Sequence, residues 1–142
     1  MALVLPIAVP MENIYSKSIL LVDDEAGYLK ALTDHLKADD CPACILTAEN
    51  GEKALDVLES VHVDLIVTDL HMPVMDGFKL ISEVKKRHPK IPIIVVSSFL
   101  FSVSEERLSA LGASHIIEKF DVDALRDKIL QTVGNSYVGI GR

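Results

Sequence analysis

The sequence lacks any excess of basic residues. Its 14 Lys and Arg stand against 21 Asp and Glu, a formal net charge of −7. Phosphate backbones are gripped by basic faces, so this balance argues against nucleic acid as a direct partner. A bound cation or a basic protein surface suits it better. No apolar run approaches the length of a membrane span. The opening MALVLPIAVP is apolar but has no basic residue ahead of it and carries two prolines, so residues 1–16 read as a disordered leader and not as a signal peptide. Cysteine is scarce. The pair Cys41-Pro42-Ala43-Cys44 has no second pair to complete a zinc site and no helix start directly after it to lower a thiol pKa, so it reads as two reduced thiols where a loop meets a strand. Repeats and low-complexity tracts are also missing. The five histidines are scattered, with no pair at metal-ligand spacing on a helix, and read as surface or loop residues.

What remains is an alternation of short apolar runs with amphipathic stretches. SILLVDD, a short continuous apolar run, reads as a strand buried on both faces, and ACILTAE, VDLIVTD, IPIIVVSS and SHIIEK read as four further strands. Between them lie helical patterns. Leu29, Leu32 and Leu36 share one face, as do Ala54, Leu55 and Leu58, and then Phe78, Ile81 and Val84. Lys85-Lys86-Arg87 closes that third helix where its dipole favours cations, and with Asp39-Asp40 reads as a solvated charge run. Ser102 and Glu105 match a capping box for the fourth helix, with Gly112 as its stop. Asp121 or Asp123 caps the fifth, which ends near Gly134. Five β–α units in sequence predict an α/β fold: a doubly wound, five-stranded parallel sheet of order 2-1-3-4-5 with helices on both faces, the flavodoxin-like arrangement.

Sites in such sheets form at the carboxyl ends of the strands. Four of the five strands end in polar groups: Asp23-Asp24 with Glu25 next, then Asp69, Ser97-Ser98 and Lys119. Each alone has a plainer use, as a helix cap, a turn residue or a solvated side chain. Together they predict one crevice holding three carboxylates, a hydroxyl and an amine. Packed acids repel unless a cation joins them, and clustered oxygen ligands that leave room for water suit Mg2+. Such a crevice has the makings of a receptacle for a phosphoryl group, with Asp69 as the nucleophile that takes it.

ILLVDDE, DLIVTDLHMPVMDG, IPIIVVSS and EKF fall in the order and spacing of the receiver domain of two-component response regulators, and the chain resembles that family over residues 17–134, leaving 135–142 as a tail. The resemblance implies a cytoplasmic signalling switch. Asp69 would accept a phosphoryl group from a phosphohistidine on a sensor histidine kinase or histidine phosphotransfer protein. Asp24 would bind Mg2+ directly, Asp23 largely through water, and the His71 backbone carbonyl would complete the protein's share. Ser97 would be the switch hydroxyl, Lys119 the lysine that pairs with the phosphoryl group, and Pro73 and Gly77 the turn beyond Asp69. A downstream protein would read the face made by helix 4, strand 5 and helix 5. No enzymatic activity is expected beyond self-phosphorylation from a donor and slow autodephosphorylation. The tail is too short for an output domain, so the chain is expected to act through protein contacts, standing alone or as part of a larger regulator.

The pattern departs from the family at three points. Phe120 follows Lys119 where a cis-bonded proline is usual, which predicts a trans bond because a cis non-proline bond costs about 3–4 kcal/mol. Ile116 stands three residues before the lysine, where an aromatic ring often reports the switch. Phe99, two after Ser97, gives an apolar SSFLFSV segment and is expected to shield the acyl phosphate. Two rival functions stay open. One is an aspartyl-phosphate phosphatase, disfavoured because His71 stands where such enzymes carry a second acid. The other is a receiver-like binding module that is never phosphorylated.

Overall fold

The computed structural model describes residues 17–41, 43–98 and 104–138, without the side chains of the last four. The leader, Phe99, Leu100, Phe101 and Ser102 lie outside the described residues. Five strands, β1 (Ser18–Val22), β2 (Cys44–Ala48), β3 (Leu65–Asp69), β4 (Ile93–Ser97) and β5 (His115–Glu118), alternate with α1 (Ala26–Ala38), α2 (Gly51–Ser60), α3 (Gly77–Arg87), α4 (Glu105–Leu111) and α5 (Val122–Val138). All pairings are parallel and the order is β2-β1-β3-β4-β5, as the β–α alternation predicts.

Successive residues of a strand point to opposite faces, and the core is divided accordingly. Ile19, Leu21, Leu65, Val67, Ile94 and Val96 pack with Leu29, Leu32 and Leu36 of α1 and Leu125, Ile129 and Val133 of α5. Leu20, Val22, Ile66, Ile93 and Val95 pack with Ala54, Leu55 and Leu58 of α2, Leu80, Ile81 and Val84 of α3, and Leu108 of α4. A sheet apolar on both faces is stable only when both are covered, which explains the continuous apolar runs of β1, β3 and β4.

Several local expectations need correction. On α3 the buried stripe is Leu80, Ile81 and Val84. Phe78 is only half-buried and carries the Arg107 guanidinium over its ring at 4.7 Å. Lys85 is not freely solvated: its Nζ donates to the Ile91 carbonyl at 2.6 Å. The N-cap of α4 is Ser104, whose hydroxyl accepts from Arg107 N at 3.2 Å. Asp121 rather than Asp123 caps α5, accepting from Ala124 N at 3.2 Å, and α5 continues past Gly134 to Val138. The cysteines are free, Cys41 buried and Cys44 exposed. Burial pushes the Cys41 thiol upward, away from reactivity. Among the described residues no helix is long and apolar enough to cross a membrane.

Candidate functional site

β1 ends at Val22, and Asp23 extends its pairing by donating its N–H to the Ala48 carbonyl at 3.1 Å. The Asp23 Oδ1 then accepts from Glu25 N at 2.8 Å, a local turn directly ahead of Ala26, where α1 starts. Asp23 is thereby fixed and buried, while Asp24 stays exposed at the rim. Neither acid caps α1; its N-cap is Glu25, which makes no side-chain cap bond.

Asp69 closes β3 and is 7% exposed. Its Oδ1 accepts from Leu70 N at 2.7 Å and its Oδ2 faces Lys119 Nζ at 3.1 Å. The turn beyond it is tight. Met75 N donates to the Pro73 carbonyl at 2.8 Å with Val74 at φ 69°, a left-handed conformation rare for a β-branched residue. Gly77 N then donates back to the Leu70 carbonyl at 2.8 Å. A Cβ on Gly77 would overlap the Asp69 carbonyl oxygen, so only glycine lets α3 start this close to the strand end.

Lys119, just beyond β5, reaches across the strand ends and is 1% exposed. Its Nζ lies 2.8 Å from Asp23 Oδ2, 2.5 Å from Glu25 Oε1 and 3.1 Å from Asp69 Oδ2. Burial alone would pull this ammonium down, but hydrogen bonds to Asp23, Glu25 and Asp69 outweigh it and hold Lys119 above its ordinary value. Asp23 moves the other way relative to its interests. Burial raises its carboxyl, opposed by its bonds with Lys119 and Glu25 N and reinforced by the nearby charge of Asp69. The two differ in which effect wins: three hydrogen bonds outweigh burial at Lys119, whereas burial outweighs the bonds at Asp23.

Asp23, Asp24 and Asp69 can each place one carboxylate oxygen within 4.8 Å of the others. Three hard oxygen donors at that spacing, one of them facing solvent, fit a small divalent cation that keeps part of its water. Beside them a cavity of about 210 Å³ is lined by Asp24, Glu25, Asp69, His71, Ser98 and Lys119. A wider groove of about 550 Å³ opens among residues 58–63 and 88–91, by the start of β3 and β4, but no carboxylate cluster converges there. Size therefore does not decide the site; chemistry does.

The sequence-predicted residues Asp23, Asp24, Asp69, His71 and Lys119 are brought together. Ser97 lies at the same edge, fully buried, with its carbonyl accepting from Lys119 N at 3.1 Å; its neighbour Ser98 lines the cavity. The Lys119–Phe120 bond is trans, as expected. Ile116 packs half-buried against the α2–α3–α4 side of the core. Two neighbours of Lys119 carried no assigned role: Glu25, noted only as following the acidic pair, and Tyr28. The Tyr28 hydroxyl donates to the Lys119 carbonyl at 3.0 Å. Their spacing of three along a helix start puts both toward one side, but nothing local says that side faces β5.

Residues 19–130 match the response regulator receiver domain family. The protein-glutamate methylesterase/protein-glutamine glutaminase of Halalkalibacterium halodurans is 34% identical over 126 residues, 83% of this chain and 36% of that protein. The transcriptional regulatory protein GlrR of Escherichia coli K12 is 40% identical over 80 residues, 56% of this chain and 18% of that protein. The chain thus spans about a third of the length of the methylesterases it matches. Among solved structures, the response regulator protein TrrA from Thermotoga maritima, in complex with Mg(2+)-BeF, superimposes with a TM-score of 0.73 at 31% identity, covering 82% of this chain and 99% of that one.

Proposed function

Because the chain belongs to the family of response regulator receiver domains, we propose that Asp69 is its phosphoacceptor and that the domain is a phosphorylation-dependent switch of a two-component system. The observation that carries this reading is the setting of Asp69: a carboxylate at a strand end, 3.1 Å from a buried ammonium and beside two further acids. In the transfer, an Asp69 carboxylate oxygen forms the new O–P bond as the P–N bond of a phosphohistidine breaks. The electron pair of that bond stays on the imidazole nitrogen of the kinase or phosphotransfer partner. Asp24, Asp23, Asp69 and the His71 carbonyl would hold Mg2+, which when bound supplies positive charge to offset the acids and steady the phosphoryl oxygens. Lys119 neutralises charge on the arriving group and Leu70 N keeps Asp69 oriented. The Ser97 hydroxyl turns toward the phosphoryl group, which remodels the α4–β5–α5 face for a downstream protein. Ile116 has no ring to swing, so readout here does not pass through an aromatic flip. The receiver by itself turns over no substrate beyond gaining and slowly hydrolysing its own phosphoryl group.

The test is direct. Incubation with Mg2+ and acetyl phosphate should add one phosphoryl mass to the intact protein, and Asp69→Asn should abolish it. An unchanged mass would favour a binding module that is never phosphorylated. Label persisting in Asp69→Asn would place the acceptor elsewhere.

A further inference from the structure

Tyr28 belongs to none of the groups that define the site, yet three of its contacts converge on two consecutive residues. Its hydroxyl donates to the Lys119 carbonyl at 3.0 Å. Its ring lies under the Lys119 ammonium, 4.7 Å from Nζ to the centroid. Its ring also meets Phe120 edge-on, with centroids 6.2 Å apart and planes at 86°. Burial pushes its phenol up to about 12, so it is a neutral donor throughout the working range.

Lys119 needs such support. Its side chain is long and rotatable, and Phe120 does not fix the main chain as a proline ring would. The three carboxylates hold Nζ near the strand ends but compete for it from different sides. Glu25, with 62% of its side chain exposed, offers Nζ a route outward, away from Asp69. The aromatic face favours the ammonium electrostatically only where Nζ sits over it, and the hydroxyl ties down the main chain from which the side chain springs.

We propose that Tyr28 is a positioning residue for Lys119, holding its main chain through the hydroxyl and its ammonium through the ring so that Nζ stays on Asp69. This rests on the reading of Asp69 as phosphoacceptor and Lys119 as its partner. The experiment compares initial rates of acetyl-phosphate labelling, with Mg2+ present throughout, for wild type, Tyr28→Phe, Tyr28→Leu, Lys119→Met and the Tyr28→Leu/Lys119→Met double variant. Tyr28→Leu, which loses the hydroxyl and the ring, should slow labelling about tenfold, and Tyr28→Phe, which keeps the ring, about threefold. In the Lys119→Met background Tyr28→Leu should make less than about a twofold difference, because Tyr28 acts only through the lysine. Equal slowing in both backgrounds would reduce Tyr28 to a general packing role and overturn the proposal. Wild-type rates in Tyr28→Leu would do the same while leaving Asp69 as acceptor untouched. A wild type that takes no label would remove the acceptor reading and this one with it. Should Tyr28→Leu lose its circular dichroism, Tyr28→Phe alone and with Lys119→Met decides by the same comparison.

Discussion

Asp23 is buried beside Asp69 and shares a single ammonium with it and Glu25. Its carboxyl is raised above 3.8 by burial first, against the pull of its hydrogen bonds. The folded chain therefore keeps a proton on Asp23 at a pH where the unfolded chain has released it. The stability linked to this group is fully present below the unfolded value and is lost as pH rises through the folded one. At neutral pH without a divalent ion Asp23 weighs against folding. Asp23→Asn keeps an oxygen for Glu25 N and should raise the unfolding free energy in Mg2+-free urea titrations at neutral pH. A loss instead would mean that attraction to Lys119 outweighs burial. Gly77 carries the opposite expectation. A methyl there meets main chain, not a pliable side chain, so Gly77→Ala should cost about 3 kcal/mol. It should also slow Asp69 labelling, since the displaced atoms belong to Asp69 itself.

At the scale of elements, the helices that begin at the site edge are started by side chains of unequal burial. Asn50 is 8% exposed and accepts from Lys53 N at 2.9 Å, while Gly51 N donates to the Met75 carbonyl of the β3–α3 turn at 3.1 Å. The start of α2 thus braces the loop that carries Met72 and Pro73. Ser104 caps α4 from an exposed position. Loss of a buried cap leaves N–H groups without water, so Asn50→Ala should cost about 2 kcal/mol and Ser104→Ala about 0.5 kcal/mol. Urea titration of the two variants checks the ranking, and an equal loss would contradict it. α4 has only seven residues, and Leu108 is its one buried side chain among those described. A short helix with one fully buried side chain opens at low cost, which suits an element proposed to move when Asp69 is modified.

Over the whole molecule, the acids proposed to hold Mg2+ would tie folding to that ion. An ion bound only by the folded state stabilises it by mass action, by about 2.7 kcal/mol at one hundred times its dissociation constant. The urea midpoint should rise with added Mg2+ and return on chelation, and Asp24→Asn should blunt the rise. A midpoint indifferent to Mg2+ would count against the acids as ligands. The relatives it matches carry different names, a methylesterase in one and a transcriptional regulator in another, and this chain spans 36% of the first while its match covers 18% of the second.

The sequence by itself determined the alternation of elements, the parallel sheet and the identity of the polar groups at its edge. Periodicity and strand-end position are local properties, readable without knowing who packs on whom, and in a parallel sheet every strand delivers its last residues to the same side. The limits of that reading were also local: the α4 cap fell at Ser104, and Phe78 sat at the edge of its stripe because Arg107 shares it. Only the tertiary structure decided who surrounds Lys119. Tyr28 meets its carbonyl across 91 positions and Glu25 its ammonium across 94. That meeting depends on how α1 and the β5–α5 turn converge over the ends of β1 and β3. No residue pattern near Tyr28 encodes such a contact; the order of strands and the packing of two distant helices on one face create it.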